Sequence, residues 1–456
     1  MRAILSYLSP PTQDGVVVLS PEQRAAVRAL YIPSVLMLGG AAVLALAMLL
    51  GRLDSSLSAY STYGMNVMFN SLCLGIVLCY FTLPARRGEL RWVLPAMVLG
   101  EGYRFIDHPT WWSITMRLQT FGYVAGLIGL AALAWRAVRA AGDEAVWARA
   151  MLLLSLIMFF FPNVSYILHG VVIMKTPVLY DAYAYTVDGT FGFQPAASAA
   201  RLVADSPPFW YATFLVYNEL PLFMIIAVLL GLRWPRACYG QLMLHMTLIG
   251  LVGFVCYKLV PMKGIDLFVD GQLDGNWPLT PPLDGPPQPY EDVSGATRNC
   301  YPSLHMGWML AVWLGSRRVN RWVDAFFGLC CAIMVIATLN IGHYAVDLVA
   351  SFPYVVAFFG IINSRREGNL APRLVCVGVC GALFVAFTTT LLRDPLQMAA
   401  HPALLGAAVV LIVGTSLLLE HWLARTTVVS PALDGGATSL AQSPLLPTPA
   451  EEAVTA

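Results

Sequence analysis

Two stretches in the C-terminal half carry the residue types best suited to chemistry. One reads Arg298-Asn299-Cys300-Tyr301-Pro302-Ser303-Leu304-His305, the other Asn340-Ile341-Gly342-His343-Tyr344-Ala345-Val346-Asp347. His343 and Asp347 are four apart, so on a helix that begins near Gly342 they stack on one face. A carboxylate one turn along accepts a hydrogen bond from one ring nitrogen, fixes the tautomer and leaves the other nitrogen's lone pair free to attack. Around His305 the pattern differs. Pro302 suits the first turn of a helix, and the N–H groups of that terminus, with the Ser303 hydroxyl, favour an anion. A histidine there is placed to give a proton to a leaving oxygen. Arg298 adds fixed positive charge just upstream. Lys258 and Lys263 put two more cations at the end of the preceding apolar run, where they could equally snorkel to lipid headgroups. Phosphate is the anion this set suits best.

The elements that position these residues are membrane helices. The chain has 456 residues, 58% hydrophobic and 12% charged, with a formal net charge of +1 and a mean hydropathy of +0.68. A soluble protein keeps about 25% charged residues, so most of this surface faces something other than water. The near-zero charge also excludes nucleic acid as a partner, which calls for a clustered basic excess. Apolar runs fit to cross about 30 Å of hydrocarbon fall at 31–51, 63–83, 91–103, 118–136, 150–171, 211–232, 241–261, 302–316, 322–341, 346–363, 373–392 and 402–422. With both termini cytoplasmic, the inner connectors hold most arginines, among them Arg86, Arg87, Arg136, Arg139, Arg317, Arg318 and Arg321, as the positive-inside tendency requires. The expected fold is therefore an all-α, polytopic helical bundle of about 12 transmembrane helices. The chain passes inward through 302–316 and returns through 322–341, which brings His305 and His343 to one outer face, within packing distance.

The remaining candidates receive ordinary readings. Cys300 alone among nine cysteines falls in an expected aqueous loop, so no disulfide framework and no structural zinc pair is indicated. His169, His245 and His421 read as packed or interfacial, and His108 and His401 as connector residues. Asp266, Asp270 and Asp274 lack the glycine and terminal glutamate of a calcium loop. Trp111 and Trp112 read as an aromatic belt. Two outer connectors, about 172–210 and 262–301, are unusually long, which favours a lid or binding role. The tail after Arg425 has the composition of a disordered segment, and the N-terminus lacks the pattern of a cleaved signal peptide.

Pro302-Ser303-Leu304-His305 and His343-Tyr344-Ala345-Val346-Asp347 resemble the second and third signatures of the type 2 phosphatidic acid phosphatase superfamily. Their wording is most similar to the inositol phosphorylceramide synthase branch, and HYAVDLVASFPY also resembles the sphingomyelin synthase motif. The resemblance implies a phosphohistidine site at the outer face. His343 would be the nucleophile, Asp347 its orienter, His305 the general acid, and Ser303 and Arg298 phosphate ligands, with Lys258 and Lys263 as further candidates. Two superfamily features are absent: Ile265 stands seven residues after Lys258, and Ala337 occupies the place of the arginine ahead of the second histidine.

The organisation this implies is a membrane module of about six spans over 1–240, a phosphatidic acid phosphatase-like catalytic membrane domain over 241–425, and a cytoplasmic tail over 426–456. The expected activity is transfer of a phosphoryl or phosphoalcohol group between membrane lipids, which serve as substrate and acceptor. No cofactor and no metal is called for. A phosphatase acting on phosphatidate or polyprenyl phosphate is the alternative within enzymes. A secondary transporter is the alternative from another class, but it would place its ionisable residues near the bilayer midplane rather than at one edge.

Overall fold

The computed structural model describes residue 5 and residues 7–13, 16–49, 71–107, 122–175, 177–239, 241–269, 286–292, 298–362 and 370–427. His108, Trp111, Trp112, Asp270, Asp274, the side chain of His169 and the tail from 428 lie outside the described residues.

Helices dominate. The N-terminal part contains α1 (Pro21–Ala29), α2 (Tyr31–Leu49), α3 (Ser71–Phe81), α4 (Arg87–Asp107), α5 (Tyr123–Arg139) and α6 (Gly142–Lys175). Next come α7 (Asp181–Asp188), α8 (Pro195–Ala204), α9 (Pro207–Asn218), α10 (Leu220–Arg233), α11 (Leu242–Leu259) and α12 (Ile265–Phe268). The last group is α13 (Leu304–Ser316), α14 (Arg321–Asn340), α15 (Ala345–Ile362), α16 (Leu370–Arg393, with a π turn at Cys376–Cys380), α17 (Pro395–Ala400) and α18 (Pro402–Thr427).

Among the described residues, seven segments are long and apolar enough to cross a membrane: Pro21–Val43, Gly142–Phe161, α11, α14, α15, α16 and Pro402–Thr426. α9 and α10, bent by 59° at Glu219, make an eighth if they form one span. Of the other four expected spans, 63–83 lies partly outside the described residues, and three fall short for a physical reason. α13 has 13 residues and α5 has 17. α4 interleaves its apolar residues with charges such as Glu89, Arg91 and Glu101.

The short α13 is the hub. It packs against α10, α11, α14 and α15, and Met309, Leu310, Ala311 and Val312 are wholly buried. A helix apolar on every side is stable only when enclosed in this way. One hydrophobic core runs from Leu8 through α6 and α13 to Leu423, and so passes through both expected modules. A second, smaller cluster joins α7 and α8 to Met262, Ile265, Cys300, Tyr301, Tyr344, Val346 and the α16–α18 region.

That second cluster revises the reading of 172–210 as a long connector. The segment is folded: α7, a 3-10 turn at Gly189–Phe191 and α8 follow a short strand β1 (Val178–Leu179), which pairs antiparallel with β2 (Tyr290–Glu291). Cys300 is also buried rather than aqueous, at 3% exposure, and all nine cysteines are free thiols.

Candidate active site

α14 ends at Asn340, and Gly342 turns the chain with φ of +102°. Two features demand glycine here. The left-handed conformation disfavours any Cβ, and a Cβ would stand 2.8 Å from that of Asp266. The Gly342 carbonyl accepts from Ile265 N, which docks the 263–265 loop against the turn. His343 follows, its N–H donating to Thr338 O at 3.1 Å, and α15 starts two residues later.

Asp347 lies at the third helical position of α15, wholly buried. Its Oδ2 accepts from Tyr344 N at 3.0 Å, the backward half of a capping box. The same oxygen is 3.4 Å from His343 Nδ1, so ring and carboxylate do lie together. Asp347 Oδ1 is buried with no hydrogen-bond partner among the described residues.

His305 is on the first turn of α13, and its ring centroid stands 6.4 Å from that of His343, at 73°. Tyr217 of α9 stacks on it, centroids 4.3 Å apart and planes at 25°, with its hydroxyl 3.4 Å from His305 Nδ1. Trp308 meets the ring edge-on. Ser303 is the N-cap of α13, where its hydroxyl accepts from Met306 N at 3.4 Å. The helix thus begins two residues later than Pro302 suggested, because the serine side chain takes a donor that proline would have left open. Ser303 keeps its own O–H to donate. The α13 and α15 termini are stitched together: Ser303 N donates to Asp347 O, and the Ser351 hydroxyl lies within bonding distance of both Ser303 O and Asp347 O.

The expected cations are distributed differently. Arg298 is buried at 1% exposure, with one guanidinium nitrogen donating to Asp292 O at 2.7 Å. Lys263 pairs with Asp292 at 3.3 Å and lies over the Tyr290 ring. Lys258 is exposed on the last turn of α11, and among the described residues no hydrogen bond or ion pair joins it to either histidine. His245 is packed, its ring against Phe359, and His401 and His421 are exposed.

Three residues at the site escaped the sequence reading. Tyr217 sits in an apolar run with nothing to distinguish it. Asp181 and Asp188, the first and last residues of α7, are buried against the His343 turn. Asp188 Oδ2 and Oδ1 accept from Ala345 N at 2.6 Å and Val346 N at 3.2 Å. Asp181 accepts from Gly264 N and the Tyr344 hydroxyl on one oxygen, and from Lys263 N and the Tyr290 hydroxyl on the other. Their spacing of seven, which puts both on one helical face, was the available signal. Burial pushes Asp188 up to about 8; the Asp347 charge adds to this, and the two N–H bonds oppose it. Burial likewise lifts Asp181 to about 6, against its hydrogen bonds from Lys263, Gly264 and Tyr344.

Cys300, His343 and Asp347 bring ligand-capable atoms within 4.8 Å of one another. Burial, with the Asp347 and Asp181 charges, holds the Cys300 thiol well above its ordinary pKa, and a protonated thiol is a poor metal ligand.

Residues 183–361 match a family model described as PAP2 superfamily. This is the superfamily that the two motifs resemble, and the match takes in α7 to α10 ahead of them. No curated protein and no solved structure matches the chain. PAP2 similarity points to phosphatase or phosphotransferase chemistry on lipid-type substrates.

Proposed function

We propose that the protein is a histidine-dependent lipid phosphotransferase acting on a lipid-linked phosphate or phosphodiester, in the manner of the inositol phosphorylceramide synthases its motifs resemble. One observation carries this reading: the two histidine rings lie edge-to-face with centroids 6.4 Å apart, and each has its own partner, Asp347 for His343 and Tyr217 for His305. An attacking atom at about 3–3.5 Å from phosphorus and an acid within about 2.6–3.2 Å of the leaving oxygen need a gap of this order.

In the proposed reaction Asp347 holds His343 through Nδ1, leaving Nε2 to attack. The Nε2–P bond forms as the P–O bond to the leaving group breaks, and His305 gives its proton to the departing oxygen. An alcohol or water then attacks phosphorus and passes its proton to His305, and the P–N bond breaks. Asp347 offsets the positive charge on the phosphorylated ring. The Ser303 O–H and the Arg298 guanidinium are the proposed donors to the non-bridging oxygens, where charge develops. Each step is supplied by a side chain, so none calls for a metal. The site is proposed to open at the outer membrane face, with both termini cytoplasmic. In that topology the four shorter apolar segments complete twelve crossings, and residues 1–240 form an N-terminal membrane module whose core is continuous with that of the catalytic part.

The test is direct. Purified protein is incubated with candidate phospholipids with and without an alcohol acceptor, and wild type is compared with His343→Ala. Transfer to the acceptor, lost in the variant, is the expected result. Release of inorganic phosphate or phosphoalcohol alone would make the protein a phosphatase, and undiminished turnover in the variant would remove His343 from the chemistry.

A further inference from the structure

We propose that α7 positions the catalytic turn: Asp181 and Asp188 are positioning residues that fix the backbone from 344 to 346 and, with it, the His343 ring. The proposal rests on the reading of His343 as nucleophile.

The argument begins at the start of α15, whose first N–H groups have no partner within their own helix. Asp188 takes the N–H groups of Ala345 and Val346, one on each carboxylate oxygen. Asp347 takes that of Tyr344. Asp181, at the other end of α7, holds the Tyr344 hydroxyl at 3.0 Å and the backbone of Lys263 and Gly264. Three successive residues after His343 are therefore each held by a buried carboxylate. The loop that the Gly342 carbonyl grips through Ile265 N is held by one of the same two acids.

Neither α7 acid has a cation against it among the described residues. A buried carboxylate without a counter-charge is costly, and a helix N-terminus can be capped as well by a neutral serine or threonine. Stability alone therefore gives no reason for two carboxylates here. What they provide is geometry: both oxygens of each accept from donors fixed in the backbone, so a shift of α7 would shift the turn that carries His343. A misplacement of about 1 Å at a reacting group costs about 10²-fold in rate.

The experiment uses the full-length protein in detergent, with Asp181→Asn and Asp188→Asn as separate variants. Each keeps its volume but replaces one acceptor oxygen by an amide that cannot accept. For each, kcat should fall about tenfold to a hundredfold with KM within about twofold of wild type, the pattern of a lost transition-state alignment. The rate at which diethyl pyrocarbonate modifies His343, followed by mass spectrometry, should change as well. This second readout needs no substrate, so it stays informative even if His343→Ala retains lipid turnover and the functional reading fails. Wild-type kcat together with a wild-type modification rate would overturn the proposal, as would a drop in thermal midpoint with kcat intact. If either acid variant does not fold, Tyr344→Phe removes a single donor to Asp181 and leaves the N–H bond to Asp347. It should lower kcat by about threefold to tenfold, the worth of one hydrogen bond, and an unchanged kcat would be equally fatal.

Discussion

Two buried acidic clusters mark opposite ends of the α13–α14 hairpin, and they are built in opposite ways. At the connector end, Glu420 of α18 is wholly buried and fully matched: Arg317 and Arg318 both pair with it, and the Tyr239 hydroxyl donates at 2.9 Å. At the histidine end, Asp181, Asp188 and Asp347 accept from N–H and O–H groups, and among the described residues the only ionisable side-chain nitrogen against them is that of His343. Asp347 Oδ1 accepts from nothing among the described residues. A matched buried ion network ties helices together. Carboxylates left short of positive charge beside a histidine are what the proposed positioning role calls for.

Substitutions can break this contrast, and the largest effect belongs to the histidine end. His343→Ala should lower turnover by about 10³-fold or more, measured per folded molecule, because an activated nucleophile has no substitute. Asp347→Asn should cost about 10²-fold or more in kcat by presenting the wrong tautomer to the substrate. A loss confined to KM would show that Asp347 binds rather than orients.

Glu420→Gln should behave in the reverse sense. Leaving two arginines short of their partner should destabilise the protein by about 3 kcal/mol, read as a lower thermal midpoint, while turnover per folded molecule holds. A selective loss of turnover would erase the distinction between the clusters. Tyr217→Phe keeps the stack on His305 and removes one hydroxyl, so kcat should fall by about threefold to tenfold. No change would reduce Tyr217 to packing.

The smallest expected effect is on the pH dependence of stability. Asp188 at about 8 and Asp181 at about 6 sit above the 3.8 of an unperturbed aspartate. Between about pH 4 and 8 the folded state therefore holds protons that the unfolded chain has released, and stability falls as pH rises through that window. Asp347 faces both acids, and Tyr290, Tyr344 and Lys263 surround Asp181. Asp188→Asn should flatten the slope of thermal midpoint against pH, and parallel slopes in variant and wild type would count against a buried, strained carboxylate.

How much of this was legible in the sequence depends on how local each interaction is. His343 and Asp347 are near in sequence, as the four-residue spacing indicated, but α15 starts at Ala345 rather than near Gly342, so the turn at Gly342 and the cap on Tyr344 N, not a shared helix face, bring ring and carboxylate together. The Ser303 cap, which moves the start of α13 two residues past Pro302, was not read from the sequence. The apolar runs announced helices, but not which of them other helices would enclose: α13, with 13 residues, is buried by four neighbours. The segment after 172 lacked a long apolar run and so read as a connector. Its helices are short and amphipathic, and they fold because the turn they cover gives them a second core.

By itself, then, the sequence determined a chain of apolar helices fit to cross a membrane, with two motif-bearing segments, a histidine and carboxylate in one and a histidine two residues past Ser303 in the other. Only the tertiary structure decided what holds them. Tyr217 reaches His305 across 88 residues, and Asp188 and Asp181 reach Ala345 and Tyr344 across 157 and 163. The physical reason is that helical periodicity fixes neighbours within a turn or two, whereas partners this distant in the chain are chosen by packing, which no local spacing records.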